Sequence, residues 1–449
     1  MPSTSQLAKD IGVSRLTTKT AFEQLISEGF LEARHGSGTY VARLSIGDLP
    51  IATAQRHRRK PKRIRISPHV ERIENSMATT QLSHVNAFRP GVPALDLFPR
   101  REWADAQSRA IRHGDNILFG YGPSSGLGAL KSAIVSHVKD SCGIECAPEQ
   151  IIVTSGAQQA FSHILMTLLN TDSGIWMEDP GHIAFRDVAR LQGYHVRSIP
   201  LDSEGFSIAH VLGLLSKSDL IFVTPSHQHP LGMTMSLIRR LELLDVAQTL
   251  DSWIIEDDYD SEFHYEERPQ PALKALDKQN RVLYVGSFSK SIFPAMRLGY
   301  IICPPGLERA FAAAGTLHSQ NVSPIQQKAM ASFMEDGSFN AHIRRMRSAY
   351  KGRRDILMTA LEQHAAGILL TEPCHAGLHL VTRFHDTSVS DLEKAKGLWT
   401  AGIDCLPLSI FRDKADVPPG LLLGFACAPE GKITEKLVQA VQVLKHAAP

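Results

Sequence analysis

The chain has 449 residues, 43% of them hydrophobic, and a formal net charge of +2. That length exceeds one small domain and suits two or three. No apolar run reaches the ~18 residues of a membrane span, so membrane-spanning helices are excluded. The near-neutral charge hides an asymmetry. Residues 1–65 carry twelve Lys and Arg against five Asp and Glu, whereas the other 384 carry 36 against 41. A basic head on an acidic body points to a polyanion as the head's partner. The N-terminus lacks a basic-then-apolar signal pattern. The six cysteines are scattered without a Cys-x-x-Cys pair, so a reduced, cytoplasmic protein without a structural metal is expected.

In chain order, Ser5–Asp10 reads as a short helix with Leu7 and Ala8 inward, and Ile11-Gly12-Val13 as a turn. Ser14 is a good N-cap for a second helix over Arg15–Ser27, with Leu16, Ala21, Phe22 and Leu25 as its apolar stripe. Phe30–Arg34 and Thr39–Val41 read as short strands around the glycine turn His35-Gly36-Ser37-Gly38. Helix, turn, helix and hairpin make the winged helix-turn-helix plan, whose second helix presents its N-terminal residues to the major groove. Those residues are Arg15, Thr17, Thr18 and Lys19, and the wing tip adds Arg34, His35 and Ser37. The head is assigned to residues 1–43 and a linker to 44–85. Within that linker, seven positive charges fall in residues 56–65. Such a run reads as an extended, self-repelling tether that also tracks phosphates.

From residue 86 to 449 short apolar strands alternate with helix-length segments, an α/β pattern with a largely parallel sheet. The strands are Ile151–Thr154, Gly174–Glu178, His195–Ile199, Leu220–Val223, Trp253–Glu256 and Val282–Val285. In such sheets ligands sit at the carboxyl ends of the strands, and polar clusters fall there. Ser155-Gly156-Ala157 opens a helix and suits an anion. Asp257, with Tyr259 beside it, ends another strand. His227 and His229, without a third ligand, are poor evidence for a metal. Ser287-Phe288-Ser289-Lys290 follows the last strand, and Arg297 lies seven residues on. A lysine in a hydroxyl-rich turn can form a Schiff base with an aldehyde. Hydroxyls and an arginine suit a phosphate. Together they describe pyridoxal 5′-phosphate (PLP), with Lys290 as the catalytic amine.

The first forty residues resemble the GntR-type regulator head. That family has another helix before this point, so the resemblance implies a head short of one helix. The body resembles a fold-type I PLP-dependent transferase of the aspartate aminotransferase kind. The resemblance rests on Phe88-Arg89-Pro90-Gly91-Val92-Pro93, Tyr121-Gly122, the run Ile254–Phe263 and Ala376-Gly377-Leu378-His379. It implies a smaller C-terminal α/β domain. The whole chain resembles the MocR class, in which the two parts are joined. By that resemblance Lys290 holds PLP as an aldimine, and Ser155, Gly156, Ala157, Ser287, Ser289 and Arg297 surround the phosphate. Asp257 pairs with the ring nitrogen and Tyr259 with the ring hydroxyl, and Tyr121 reaches the partner subunit of a homodimer. Three positions depart from the aminotransferase pattern. His229 stands for an asparagine, His182 for a stacking aromatic ring, and Gly420–Phe425 lacks the carboxylate-gripping arginine, with Arg383 or Arg412 as candidate substitutes. The sequence thus describes a regulator that binds operator DNA and senses PLP or a small amine or amino acid, with weak or absent transamination. A plain aminotransferase acting on an amino acid is the alternative.

Overall fold

The computed structural model describes residues 1–34, 36–42, 66–73, 86–214, 218–265, 270–318 and 322–446. His35 and the basic run over 56–65 lie outside them. The chain divides into two compact units, residues 1–66 and 67–449.

In the first unit α1 spans Thr4–Ile11 and α2 Arg15–Ser27. Each starts at a serine whose hydroxyl accepts a backbone N–H: Ser3 from Gln6 and Ser14 from Thr17. Such caps satisfy amides that have no partner inside the helix. Gly12, at φ +70°, turns the chain between them. β1 (Leu31–Arg34) and β2 (Gly38–Val41) pair antiparallel, with Leu31 opposite Val41. Ala8, Thr18, Phe22 and Leu31 form the small core. Two sequence expectations fail here. Thr18 is 4% exposed and donates to the Ser14 carbonyl, so it packs inward and offers nothing to DNA. Leu16 is 72% exposed, and Ala21 is also exposed. At 100° per residue, positions 18, 22 and 25 share a face, 21 lies at its edge and 16 opposite it.

The second unit is built on an eight-stranded sheet. Its strands are β3 (Ile151–Thr154), β4 (Gly174–Asp179), β5 (His195–Asp202), β6 (Gly205–Phe206), β7 (Leu220–Val223), β8 (Trp253–Asp258), β9 (Val282–Ser287) and β10 (Gly299–Ile302). Their spatial order is β3-β10-β9-β8-β7-β4-β5-β6. The β5-β4-β7-β8-β9 run is parallel. β10 is antiparallel to both β9 and β3. No strand was expected from sequence at β10. Successive residues of the parallel strands feed opposite faces: Leu220 and Phe222 join one apolar cluster, Ile221 and Val223 another. Helices cover both faces, so the strands are apolar throughout. A smaller antiparallel sheet, β11-β12-β14-β13, is made by Leu369–Thr371, His379–Phe384, Gly420–Gly424 and Leu406–Pro407 respectively. The stretch read as a linker contains a short helix, α3 (Pro68–Ile73), which packs on the helix Ile183–Leu191. Among the described residues no helix is long and apolar enough to cross a membrane.

The strand ends concentrate buried acids. Glu178 Oε2 accepts from the Thr224 hydroxyl at 2.7 Å and the Thr224 amide at 3.1 Å, and its Oε1 has no partner. Burial pushes this carboxyl up to about 7, against 4.5 for an ordinary glutamate. Between those values the folded state holds the extra proton. The contribution is complete below the ordinary value and is lost as the pH rises through 7. Glu178→Gln stays neutral and should therefore gain stability over the parent as the pH rises. The gain should reach about 3 kcal/mol near pH 8 and nearly vanish near pH 4.5. Denaturant titrations at the two pH values check this; a gain independent of pH would refute it.

Candidate functional site

At the carboxyl ends of β4, β7, β8 and β9 lies a cavity of about 330 Å³, lined by residues from 89 to 411. Lys290, just past β9, opens onto it. Its Nζ donates to the Gly91 carbonyl at 2.6 Å. The turn that carries it is held by Ser287, whose hydroxyl lies 3.0 Å from the Ser289 hydroxyl and accepts the Ser289 amide at 3.2 Å. Burial lowers the Lys290 pKa, and Asp260 and Asp257 oppose that shift. A Cβ at Gly91 would sit 2.7 Å from Nζ, so only glycine permits this approach.

Asp257, next to last in β8, is 3% exposed, and its Oδ2 has no hydrogen-bond partner. Burial and the neighbouring Asp258 push its carboxyl well above the usual range. His182 Nε2 stands 3.9 Å from that oxygen. His182 also caps the helix Ile183–Leu191, accepting the Phe185 amide on Nδ1 at 3.1 Å. The cap fixes the ring and leaves Nε2 to carry the proton. Burial lowers the His182 pKa to about 4. His229 Nδ1 is buried without a partner, and burial with the nearby His182 holds the ring neutral. Tyr259 lines the cavity, and its hydroxyl lies 3.0 Å from His227 Nδ1. The same Nδ1 lies 3.0 Å from both Asp260 oxygens.

The helix Ala157–Leu168 starts at Gly156, whose φ is +101°. The Arg297 guanidinium lies 3.8 Å from where a Gly156 Cβ would be. Ser155 donates its amide to the Gln159 side chain. The anion-type turn and the arginine are therefore neighbours. Tyr121 is 79% exposed and does not line the cavity of its own chain.

Sequence reasoning passed over four residues that the fold brings here: Arg89, His227, Asp260 and His379. His379 Nε2 lies 3.2 Å from the Pro230 carbonyl, and burial lowers its pKa to about 3. His227 had been weighed only as a metal ligand. Its partner Asp260 stands three residues past Asp257, and that spacing was the available signal. Among the described residues no three His, Cys, Asp or Glu side chains are grouped to hold a metal ion. Arg383 is engaged elsewhere, by Glu372 at 2.6 Å and the Pro418 carbonyl at 2.9 Å. Neither it nor Arg412 lines the cavity.

On the head, Arg15, Thr17 and Lys19 are exposed on α2. Thr17 shares a 2.7 Å hydrogen bond with the Ser14 hydroxyl, and Lys19 pairs with Glu23 at 3.7 Å. Arg34 lies over the Tyr40 ring at 5.1 Å, and Ser37 bonds the Tyr40 hydroxyl at 2.9 Å.

Residues 91–434 match the family "Aminotransferase class I and II", and residues 1–41 match "Bacterial regulatory proteins, gntR family". The chain is 36% identical over 432 residues to "Probable rhizopine catabolism regulatory protein MocR" of Rhizobium meliloti, covering 95% of this chain and 85% of that one. The chain belongs to the GntR-family regulators with an aminotransferase-like body, the MocR type. It is also 30% identical over 440 residues to the pyridoxine biosynthesis transcriptional regulator PdxR of Corynebacterium glutamicum, with 96% and 88% of the two chains covered. The Pyrococcus horikoshii kynurenine aminotransferase has the same body, with a TM-score of 0.74 and 25% identity over 86% of this chain and 96% of that one. A GntR head makes this regulator a DNA-binding protein, and the body is the mixed-sheet fold anticipated from sequence.

Because its pKa is lowered, the Lys290 amine should react with a small aldehyde at lower pH than the exposed lysines do. Reductive methylation across a pH series, read by peptide mass spectrometry, checks this; coincident profiles would count against it.

Proposed function

We propose that this regulator binds PLP in the cavity at Lys290 and that PLP, or a small amine or amino acid reacting there, sets how its heads engage operator DNA in the cytoplasm. The observation that carries this is a partly buried lysine amine within electrostatic reach of a buried, unpartnered carboxylate oxygen on Asp257. An unpaired acid in that position is costly unless a cation meets it, and the protonated nitrogen of a pyridine ring is such a cation. The other residues fit as well. Gly156 and Ala157 at the helix start, Ser155, Ser287, Ser289 and Arg297 suit the phosphate. His182 supplies a flat ring for stacking, and His229 an unpaired nitrogen near Tyr259. When bound, PLP supplies an aldehyde for amines and an electron-accepting ring.

The chain's own part in sensing lies at Lys290. Its Nζ donates to Gly91, and the segment around Gly91 is fastened to the smaller domain. The Gly424 amide donates to the Phe88 carbonyl at 2.9 Å, and the Asp404 amide to the Ala87 carbonyl at 2.9 Å. Chemistry that takes up the lysine amine withdraws a donor from this segment, which follows the linker directly. That is a contact present in one state and absent in the other, as a switch requires. Exposed Ile117, Phe119 and Tyr121 form an apolar surface that supports a homodimer, and a dimer carries two heads for two half-sites.

Adding PLP to purified protein should give an absorbance band at the edge of the visible that is absent in Lys290→Ala. No band in the parent would end this reading. For the head, anisotropy titrations with a random-sequence duplex in increasing salt should show a steep loss of affinity. Arg15→Ala and Lys19→Ala should each reduce the log–log salt slope by about 1. Slopes equal to the parent's would remove α2 from the DNA interface.

A further inference from the structure

The effector's carboxylate, if it has one, cannot be met where aminotransferases of amino acids meet it. β14 has leucines there, and all its residues are buried. Leu422 packs with Leu408 and Phe411 into an apolar cluster at the cavity wall. The other side of the cavity differs. Arg89 lines it, half-buried, two residues before the carbonyl that accepts from Lys290. Its charge is felt at the Lys290 amine, where it disfavours a second positive charge. Among the described residues no carboxylate or carbonyl accepts from its guanidinium, while its backbone is clamped. The Phe88 carbonyl is bonded to Gly424, the Arg89 carbonyl accepts from the Cys427 thiol at 3.6 Å, and a Cβ at Gly424 would sit 2.2 Å from the Arg89 carbonyl oxygen. A fixed backbone with an unengaged guanidinium is a prepared anion receiver.

The rest of the wall narrows the ligand further. Ile183, Ala184, Leu378, Trp399, Ile410 and Phe411 supply apolar surface. Burial keeps the lining histidines His182, His229 and His379 neutral. Arg89 and Lys290 are therefore the lining cations.

We propose that Arg89 receives the effector's carboxylate while the effector's amine faces Lys290, so that the effector is an amino acid with one carboxylate and an uncharged, largely apolar side chain. This rests on the reading that amines are sensed at Lys290. The guanidinium N–H groups donate to the carboxylate oxygens, a charge-assisted contact with two-pronged geometry. A second carboxylate on the side chain would enter the apolar wall without a cation, at a desolvation cost.

The test uses the full chain loaded with PLP and follows the cofactor absorbance during titration with L-leucine, with 3-methylbutylamine (leucine without its carboxylate) and with L-glutamate. Leucine should bind about ten- to a hundredfold more tightly than the amine, and glutamate more weakly than leucine. Arg89→Gln should bring leucine and the amine to equal affinity, and Arg89→Lys should restore part of the difference. Circular dichroism and melting report whether each variant has folded; should Arg89→Gln fail to fold, the parent comparison and Arg89→Lys decide. Equal affinity in the parent, glutamate binding as tightly as leucine, or a leucine preference surviving in Arg89→Gln would each overturn the assignment of Arg89. Absence of the cofactor band in the parent would instead overturn the sensing reading, and this inference with it.

Discussion

A lysine amine at a cavity edged by buried carboxylates is the constraint from which the rest of this body follows. Buried charge is tolerated only when each group has a partner, and the strand ends show how that is arranged. Glu256 accepts the Leu273 and Lys274 amides. Asp258 accepts the Tyr284 and Ser261 hydroxyls. Asp179 accepts three successive amides from Asp413, Lys414 and Ala415. Asp260 is met by His227. Against that background two buried carboxylate oxygens among the described residues lack a partner, Glu178 Oε1 and Asp257 Oδ2, and Asp257 is the one on which the Lys290 charge acts. The parallel sheet makes this possible by delivering several acids to one edge while its apolar faces are sealed by helices.

The histidines complete the arrangement by removing charge. His182, His229 and His379 are all pushed toward the neutral form by burial, and the charge of Lys290 adds to it in each. Neutral rings can stack, accept and donate without competing with Lys290 for the carboxylates. Charged ones would pull Asp257 away from a cofactor nitrogen. Gly377 belongs to the same design. At φ +77° a Cβ there would meet the His227 ring at 2.1 Å, so the Tyr259–His227–Asp260 chain depends on a missing side chain in a distant loop.

The sequence made the strands legible because each is a short, uninterrupted apolar run, and all six expected strands differ from the observed ones only by extension or not at all. Lys290, Asp257 and Arg297 were legible because each follows such a run with a polar cluster. The misses have separate causes. β10 follows the turn at Arg297 directly, with no α-helix between it and β9 to mark a new strand. Thr18 and Leu16 were misjudged because a two-helix head has a core of few residues, and composition outweighed helical phase in choosing its stripe. His227, Asp260, Arg89 and His379 come together from four separate stretches of chain, and nothing local announces a contact set by the crossing of segments far apart in sequence.

Arg89 and Gly91 lie in one short segment, and this gives the ligand site its leverage. The segment enters from the linker, bridges to β14 through Phe88, and then passes Lys290. A ligand that engages only the lysine alters a single hydrogen bond, the one to Gly91. A ligand that also engages the Arg89 guanidinium holds the same segment at a second point. The equilibrium between two arrangements moves only by the difference in binding free energy between them, so two contacts on one segment discriminate better than one. On the proposal made above, an amino acid has a larger hold on this segment than its decarboxylated amine, because the extra contact that tightens its binding falls on the same short stretch of chain.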